Sequence, residues 1–364
     1  MAERNRFIDF VKGIAIILVL FNHYEWAEGS FVGTHLYNFL VCMAVPIFML
    51  CTGYVSAASF SAKNISLKDA YTKKALVPKL LRYTLPVLWF YLAETVLTFA
   101  FQHLGYLDYL SGLDFKYNHG YGGKKMTLLG TVVFFFAGGR GQHGTYYFPI
   151  ILQVAFMIPV IYHVVKKYKF GVHFCFITTL LLECAKIPLV HFLAKIGISN
   201  SVCYGVYRLV AFRYIFVLAL GCYIYLYRDK FCKWYKLAPM FLVGALYIYL
   251  IEYTSYERVI FIWWQNTSAI AVLYIAPFFA LGVKYLGKIN FRFFEELGKA
   301  SYHILMVQII YYNFFAPLVW TAPKNVIPCD GVGFVIGLAV CLGGGYGYHK
   351  LYCKLSRKYG KKKI

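Results

Sequence analysis

Eleven apolar stretches follow one another along the chain, at roughly 7–26, 35–58, 83–104, 126–138, 146–165, 171–195, 204–227, 237–253, 260–283, 301–321 and 331–352. A run of about 20 apolar residues is one helical crossing of a bilayer. In hydrocarbon the backbone must satisfy its own polar groups, so such runs are helical. Only 14% of the 364 residues are charged, against about 25% in an average soluble domain. That excludes a soluble globular enzyme, a disordered chain and a collagen-like repeat. The expected fold class is all-α, a polytopic integral membrane protein.

Charge sets the topology. The net charge is +22, which in a soluble protein would suggest nucleic acid. In a membrane protein Lys and Arg collect in cytoplasmic loops, so no nucleic-acid partner is expected. Stretch 126–138 is too short to span and sits between glycine-rich loops (Gly120, Gly122, Gly123; Gly138, Gly139, Gly141, Gly144). With it left out and the N-terminus inside, 27 of the 37 basic residues fall on cytoplasmic segments. If it spanned, the Lys166–Lys169 cluster and the basic tail would lie outside. About ten spans with both termini cytoplasmic is therefore the expectation, in the plasma membrane. One domain, 1–355, is followed by a basic tail, 356–364. The first stretch has no small-residue cleavage site after it and is read as a mature helix. Ten Cys are scattered without a CxxC pair, so neither a disulfide nor a metal site is expected.

Ionisable residues inside spans are costly and usually line a site. At 100° per residue, Lys12 and His23 differ by only about 20° around the first helix, and Asp9 and His23 by about 40°. The three form one polar stripe, with His23 about 16 Å beyond Lys12. The stripe suggests an anion held near Lys12 and a proton-transfer group at His23, since imidazole titrates near pH 6.5. The plainer account has Lys12 snorkelling to the interface and His23 capping a helix end. Glu183 and Lys186, at i,i+3, are expected to pair. Glu94, Arg208, Arg213 and Glu252 are further intramembrane charges. Glu94 and Arg213 have no sequence-local partner. They either pair with each other or line a cavity with His23.

Several stretches then resemble one family. Asp9, Lys12 and His23 match the opening of the acyltransferase-3 family of membrane acyltransferases: Asp, a basic residue three on, ten residues, then His. Val45-Pro46 to Thr52-Gly53-Tyr54 resembles its Pro-aromatic stretch. Lys79-Leu-Leu-Arg82 resembles its Arg-x-x-Arg motif, Tyr146-Tyr147-Phe148-Pro149 its Trp-aromatic-Leu-Pro stretch, and Ser301-Tyr302-His-Ile304 its late Ser-Tyr helix. Two positions depart. Gln308 stands where a His is usual, and no Glu follows the aromatic-Pro motif, where Ile151 and Leu152 lie.

The resemblance implies transfer of an acyl group, acetyl most often and succinyl in some members, from cytoplasmic acyl-CoA to a hydroxyl of a surface polysaccharide or its lipid-linked precursor. It implies His23 as the base. Lys12, Lys79 and Arg82, with Asp9 orienting Lys12, are the implied contacts to acetyl-CoA, a donor substrate and not a resident cofactor. Arg213, Tyr146, Tyr147 or Ser301 would face the oxyanion. Glu94 joins His23 and Arg213 as a catalytic candidate. The candidate acceptor-binding residues are His143, Tyr146, Tyr147, Ser301, Tyr302 and Gln308, and the loop Gly138–Gly144 could receive a sugar. Capsule, exopolysaccharide, teichoic acid, peptidoglycan and small metabolites all remain as acceptors. The alternative is a carbohydrate exporter or flippase, which would not need His23 as a base but would need internal repeats, and none is evident. A non-catalytic membrane partner is a third reading. Gly343-Gly344-Gly345-Tyr346-Gly347 is read as a helix-packing surface.

Overall fold

The computed structural model describes residues 5–24, 26, 37–106, 144–198, 203, 206–207, 209–254, 268–288, 290–316 and 330–360. Among these the chain is helical, without strands. The helices are α1 (Arg6–His23), α2 (Ala44–Ala62, entered through short turns from Tyr37), α3 (Lys73–His103), α4 (Tyr147–Lys167), α5 (Gly171–Lys195), α6 (Ile215–Leu226), α7 (Trp234–Tyr253), α8 (Ala269–Tyr285), α9 (Arg292–Ile310) and α10 (Asp330–Gly360). A 3-10 turn, Ala211–Tyr214, leads into α6, and a π-helical turn, Tyr311–Phe315, follows α9. Each of these ten helices overlaps one of the apolar stretches, with α3 and α9 starting about ten residues ahead of theirs, while the short helices Leu67–Ala70 and Arg228–Phe231 lie between stretches. Stretch 126–138 lies outside the described residues.

Among the described residues six segments are long and apolar enough to cross a membrane: Tyr37–Ala62, Lys73–His103, Tyr147–Lys167, Gly171–Lys195, Trp234–Tyr253 and Gly331–Arg357. Ala211–Leu226 and Ala269–Tyr285 are apolar but shorter. α1 and α9 are 18 and 19 residues long and carry charges in their first halves. α10 continues as helix to Gly360, so the basic tail begins inside it.

Two compact units emerge, each assembled from separate parts of the chain. Unit 1 comprises Met1–Asn22, Gly29–Lys79 and Gln153–Lys299; unit 2 comprises His23–Glu28, Leu80–Leu152 and Ala300–Ile364. Helices in unit 1 meet at glycines. A Cβ at Gly13 would run into the Phe294 carbonyl, and one at Gly298 into the Asp9 carbonyl, so α1 and α9 touch backbone to backbone. Gly53 and Gly221 do the same for α2 and α6, and Gly244 lets α7 reach the backbone at Tyr274. Small residues are what permit such approach where lipid tails compete with side chains for apolar contact. In unit 2 Gly345 sits against Ile304 and Gly344 against Val307, whereas Gly343 and Gly347 have nothing within 4 Å, so only the middle of the late glycine run packs on a helix. The Tyr348 hydroxyl donates to the Pro86 carbonyl at 3.1 Å, tying α10 to α3.

Candidate functional site

His23 is the last residue of α1 and is half-buried. Gly144 brings its backbone up to the imidazole: a Cβ there would lie 3.5 Å from Nε2 and 3.3 Å from Leu305 Cδ1. Gly144 has φ +95°, a conformation glycine adopts freely and other residues rarely do. The Tyr312 ring, fully buried, lies 6.3 Å from the imidazole between centroids, tilted 52°. Beside His23, Tyr24, Trp26 and Phe334 form an aromatic cluster with centroids 4.7, 5.3 and 5.1 Å apart. Trp26 is half-exposed.

Tyr312 belongs to the π-helical turn, and its neighbour Asn313 reaches a different group. Asn313 Nδ2 donates to Glu94 Oε1 at 2.9 Å. Glu94 is wholly buried and Asn313 nearly so. Glu94 Oε2 and Asn313 Oδ1 have no hydrogen-bond partner among the described residues. One helical turn further along α3, the Thr98 hydroxyl donates back to the Glu94 carbonyl at 2.8 Å. Short π-helical segments recur at functional sites because they turn successive side chains in directions an α-helix does not allow. Here the turn sends Tyr312 to His23 and Asn313 to Glu94.

Other candidates of unit 2 take varied places. Ser301 is buried, and Gln308 is fully enclosed on α9. Tyr302 donates its hydroxyl to the Tyr83 carbonyl at 3.0 Å and meets the Phe148 ring edge-on at 6.0 Å. That hydroxyl therefore ties α9 to α3. Tyr146 and Tyr147 are half-buried, and Arg82 is exposed.

Asp9, Lys12, Lys79 and Arg213 fall in unit 1. Asp9 is buried and Lys12 half-buried, and both charges act on the buried Cys51 thiol of α2. Lys79 Nζ lies over the Phe60 ring at 5.7 Å. Arg213 lies over the Tyr214 ring at 4.8 Å, on the 3-10 turn. Gln153 of α4 holds the approach to that turn: its Nε2 donates to the Leu209 carbonyl at 2.7 Å, and its Oε1 accepts from Ala211 N at 3.1 Å. Glu183 Oε1 accepts from Ala269 N at 3.0 Å, at the start of α8, while Arg213 and Lys186 act on it electrostatically. Lys186 Nζ sits 4.8 Å from the Tyr207 ring centroid. Glu94 and Arg213 thus have different surroundings, an amide for one and the Glu183 cluster for the other.

The family model for the acyltransferase-3 acyltransferase domain matches residues 5–345. The chain belongs to the acyltransferase-3 family. No curated protein and no solved structure matches it. Membership in the acyltransferase-3 family, with the apolar helices, supports a multi-pass membrane acyltransferase.

Within this acyltransferase-3 chain the structure adds Tyr312, Asn313 and the Tyr24–Trp26–Phe334 cluster to the surroundings of His23 and Glu94. The signal for Asn313 is present in the sequence. It is the one amide within Tyr311-Tyr312-Asn313-Phe314-Phe315, an otherwise aromatic run. His143, Arg208 and most of the loop 138–144 lie outside the described residues.

Proposed function

We propose that the protein is an O-acyltransferase that moves an acyl group, acetyl in the first instance, from acyl-CoA to a hydroxyl of a cell-surface polysaccharide or its lipid-linked precursor. His23 is the general base. The observation that carries this reading is the His23 imidazole, half-buried at the end of α1 with the bare backbone of Gly144 against Nε2. A side chain at residue 144 would occupy the space beside that nitrogen. In this reading the acceptor approaches on that side.

The transfer is direct. His23 takes the proton of the acceptor hydroxyl, and the oxygen attacks the thioester carbonyl. The carbon–sulfur bond then breaks, and the departing thiolate receives the proton that His23 holds. Tyr146, Tyr147 or Ser301, in the same unit as His23, would face the oxyanion. The half-exposed Trp26 ring, packed on the buried Tyr24 and Phe334, suits the apolar face of a sugar ring, which supports a glycan acceptor. The basic residues that the family resemblance offers to the CoA phosphates are Lys12 and Lys79 in unit 1 and Arg82 in unit 2, the last a forked donor matched to phosphate. This reading takes about ten spans in the plasma membrane with both termini inside, which puts the basic clusters in the cytoplasm.

The test is base-labile acyl content of the surface glycan, with and without the protein and with His23→Ala at matched protein level. Acetate that appears with the wild type and vanishes with His23→Ala supports the reading. Unchanged acyl content with less surface glycan in cells lacking the protein would replace it with the exporter.

A further inference from the structure

Glu94 and Asn313 are fully and almost fully buried, and they are 219 residues apart in sequence. A carboxylate this deep in apolar helices needs partners for both oxygens. The geometry gives it one, the amide of Asn313. Each group also keeps one acceptor atom with no partner among the described residues, Glu94 Oε2 and Asn313 Oδ1, and each of these atoms is shut away from solvent. A group so enclosed has no route to substrate in this arrangement, which argues against Glu94 moving the reacting proton. What it does reach is the π-helical turn. Asn313 is in the turn, and the preceding residue, Tyr312, lies against His23. The rest of the turn is anchored on the same side: the Tyr106 hydroxyl donates to the Phe314 carbonyl at 2.7 Å, and the Phe101 ring packs on Phe314 at 5.5 Å between centroids. A π turn is less regular than an α-helix and needs such anchors to persist.

We propose that Glu94 and Asn313 are positioning residues for His23: their hydrogen bond fixes the π-helical turn Tyr311–Phe315, and the turn sets Tyr312 against the imidazole. The proposal rests on the reading of His23 as the base only for its effect on acyl transfer. The coupling to the imidazole stands without it. One chemical consequence is specific. Glutamine at residue 94 would still accept from Asn313 Nδ2, and its own NH2 could donate to Asn313 Oδ1, satisfying the pair as two amides. Alanine would leave the Asn313 amide buried with no partner.

The experiment compares Glu94→Ala, Glu94→Gln and Asn313→Ala in the purified full-length protein and in cells. The first readout is the rate at which diethyl pyrocarbonate modifies His23, followed by mass spectrometry of the His23 peptide. The second is base-labile acetate on the surface glycan at matched protein level. Glu94→Ala and Asn313→Ala are expected to change the His23 modification rate several-fold. They are also expected to lower acetylation by up to about 10²-fold, the scale of a 1 Å misplacement. Glu94→Gln is expected to recover most of both losses. If Glu94→Gln restores the His23 rate but not acetylation, Glu94 takes part in the chemistry and the proposal is overturned. An unchanged His23 rate in the alanine variants overturns it as well. Should the alanine variants not fold, Glu94→Gln decides alone: His23 reactivity and acetylation both near wild type sustain the proposal, and loss of either one sinks it. Acetylation that survives His23→Ala while the modification rates behave as expected would sink the base reading and leave the positioning intact.

Discussion

Glu94 and Glu183 are the same side chain, both buried among apolar helices, and each has one oxygen satisfied and one without a hydrogen-bond partner among the described residues. Their partners differ in kind. Glu183 accepts from a backbone N–H at the start of α8 and has Arg213 and Lys186 within electrostatic reach. A carboxylate is well placed at a helix N-terminus, where N–H groups and the helix dipole both favour negative charge. Among the described residues the Glu94 side chain accepts only from a side-chain amide. Burial alone therefore does not say what a membrane glutamate does. The partner does: Glu183 closes a helix end beside cations, while Glu94 holds a turn that touches the candidate base.

The largest expected effect concerns the base itself. His23→Ala should lower acyl transfer by about 10²–10⁴-fold, the range for loss of a general base. Protein level and thermal unfolding in detergent should stay near wild type, because His23 ends its helix half-buried. A well-folded His23→Ala protein that still acetylates would remove the functional half of the comparison.

The next test separates the two glutamates by charge. Glu183→Gln keeps an acceptor for Ala269 N but removes the negative charge facing Arg213 and Lys186. Losing a charge held at a helix N-terminus should cost about 1–2 kcal/mol. Glu94→Gln loses no cation contact and should stay within about 1 kcal/mol of wild type. Thermal unfolding of the two full-length variants, side by side, gives the difference. Equal destabilisation would mean that the cations near Glu183 contribute nothing, and the contrast would collapse.

These residues were unequally legible in the sequence. The long helices could be read because bilayer thickness converts an apolar run into a helix with few alternatives, and each of α1 to α10 overlaps an expected stretch. His23 could be read because a polar residue in register with Lys12 stands out on an apolar helix. Glu94 stood out as a charge, but its partner lies 219 residues away, and a single sequence carries no distance between such positions. Tyr312 and Asn313 were hidden for another reason. Helical spacing sends consecutive residues about 100° apart, and only the π turn gives this pair the two contacts seen here. Gly144 was one of several glycines in a loop; what distinguishes it is its left-handed backbone beside an imidazole. Glu183 and Lys186 met the i,i+3 rule, yet one oxygen of Glu183 goes to a backbone group and Lys186 stacks over Tyr207. A spacing rule within one helix does not account for what a neighbouring helix presents.

Glycines offer a smaller version of the same contrast. Gly298 lies in unit 1 with its Cα against the Asp9 carbonyl, whereas Gly343 in unit 2 has nothing within 4 Å of where a Cβ would be. Gly298→Ala must push α1 from α9 and should cost about 2 kcal/mol, within the range for overpacking. Gly343→Ala should be neutral or stabilising by up to about 1 kcal/mol, since alanine is the better helix former. Thermal unfolding of the pair measures how tightly each helix contact is set. Equal effects would mean that α1 and α9 can part without strain.

The smallest effect tests whether the Glu183 end of α8 is purely structural. Ser268 is the N-cap of α8, its side-chain oxygen accepting from Ala271 N at 3.5 Å. Ser268 and Glu183 thus serve N–H groups two residues apart at one helix start, Ala271 and Ala269. Ser268→Ala should cost about 1 kcal/mol, toward the lower end of the range for a lost cap because the bond is long. Acyl transfer per folded molecule should not change, since the bond Ser268 makes serves the start of α8. The measurement pairs thermal unfolding with glycan acetylation normalised to folded protein. A stability loss with unchanged normalised activity assigns this end of α8 to the scaffold. A fall in normalised activity would show that the helix start carrying Glu183 also shapes the reaction, and buried glutamates in this chain could then not be sorted by their partners alone.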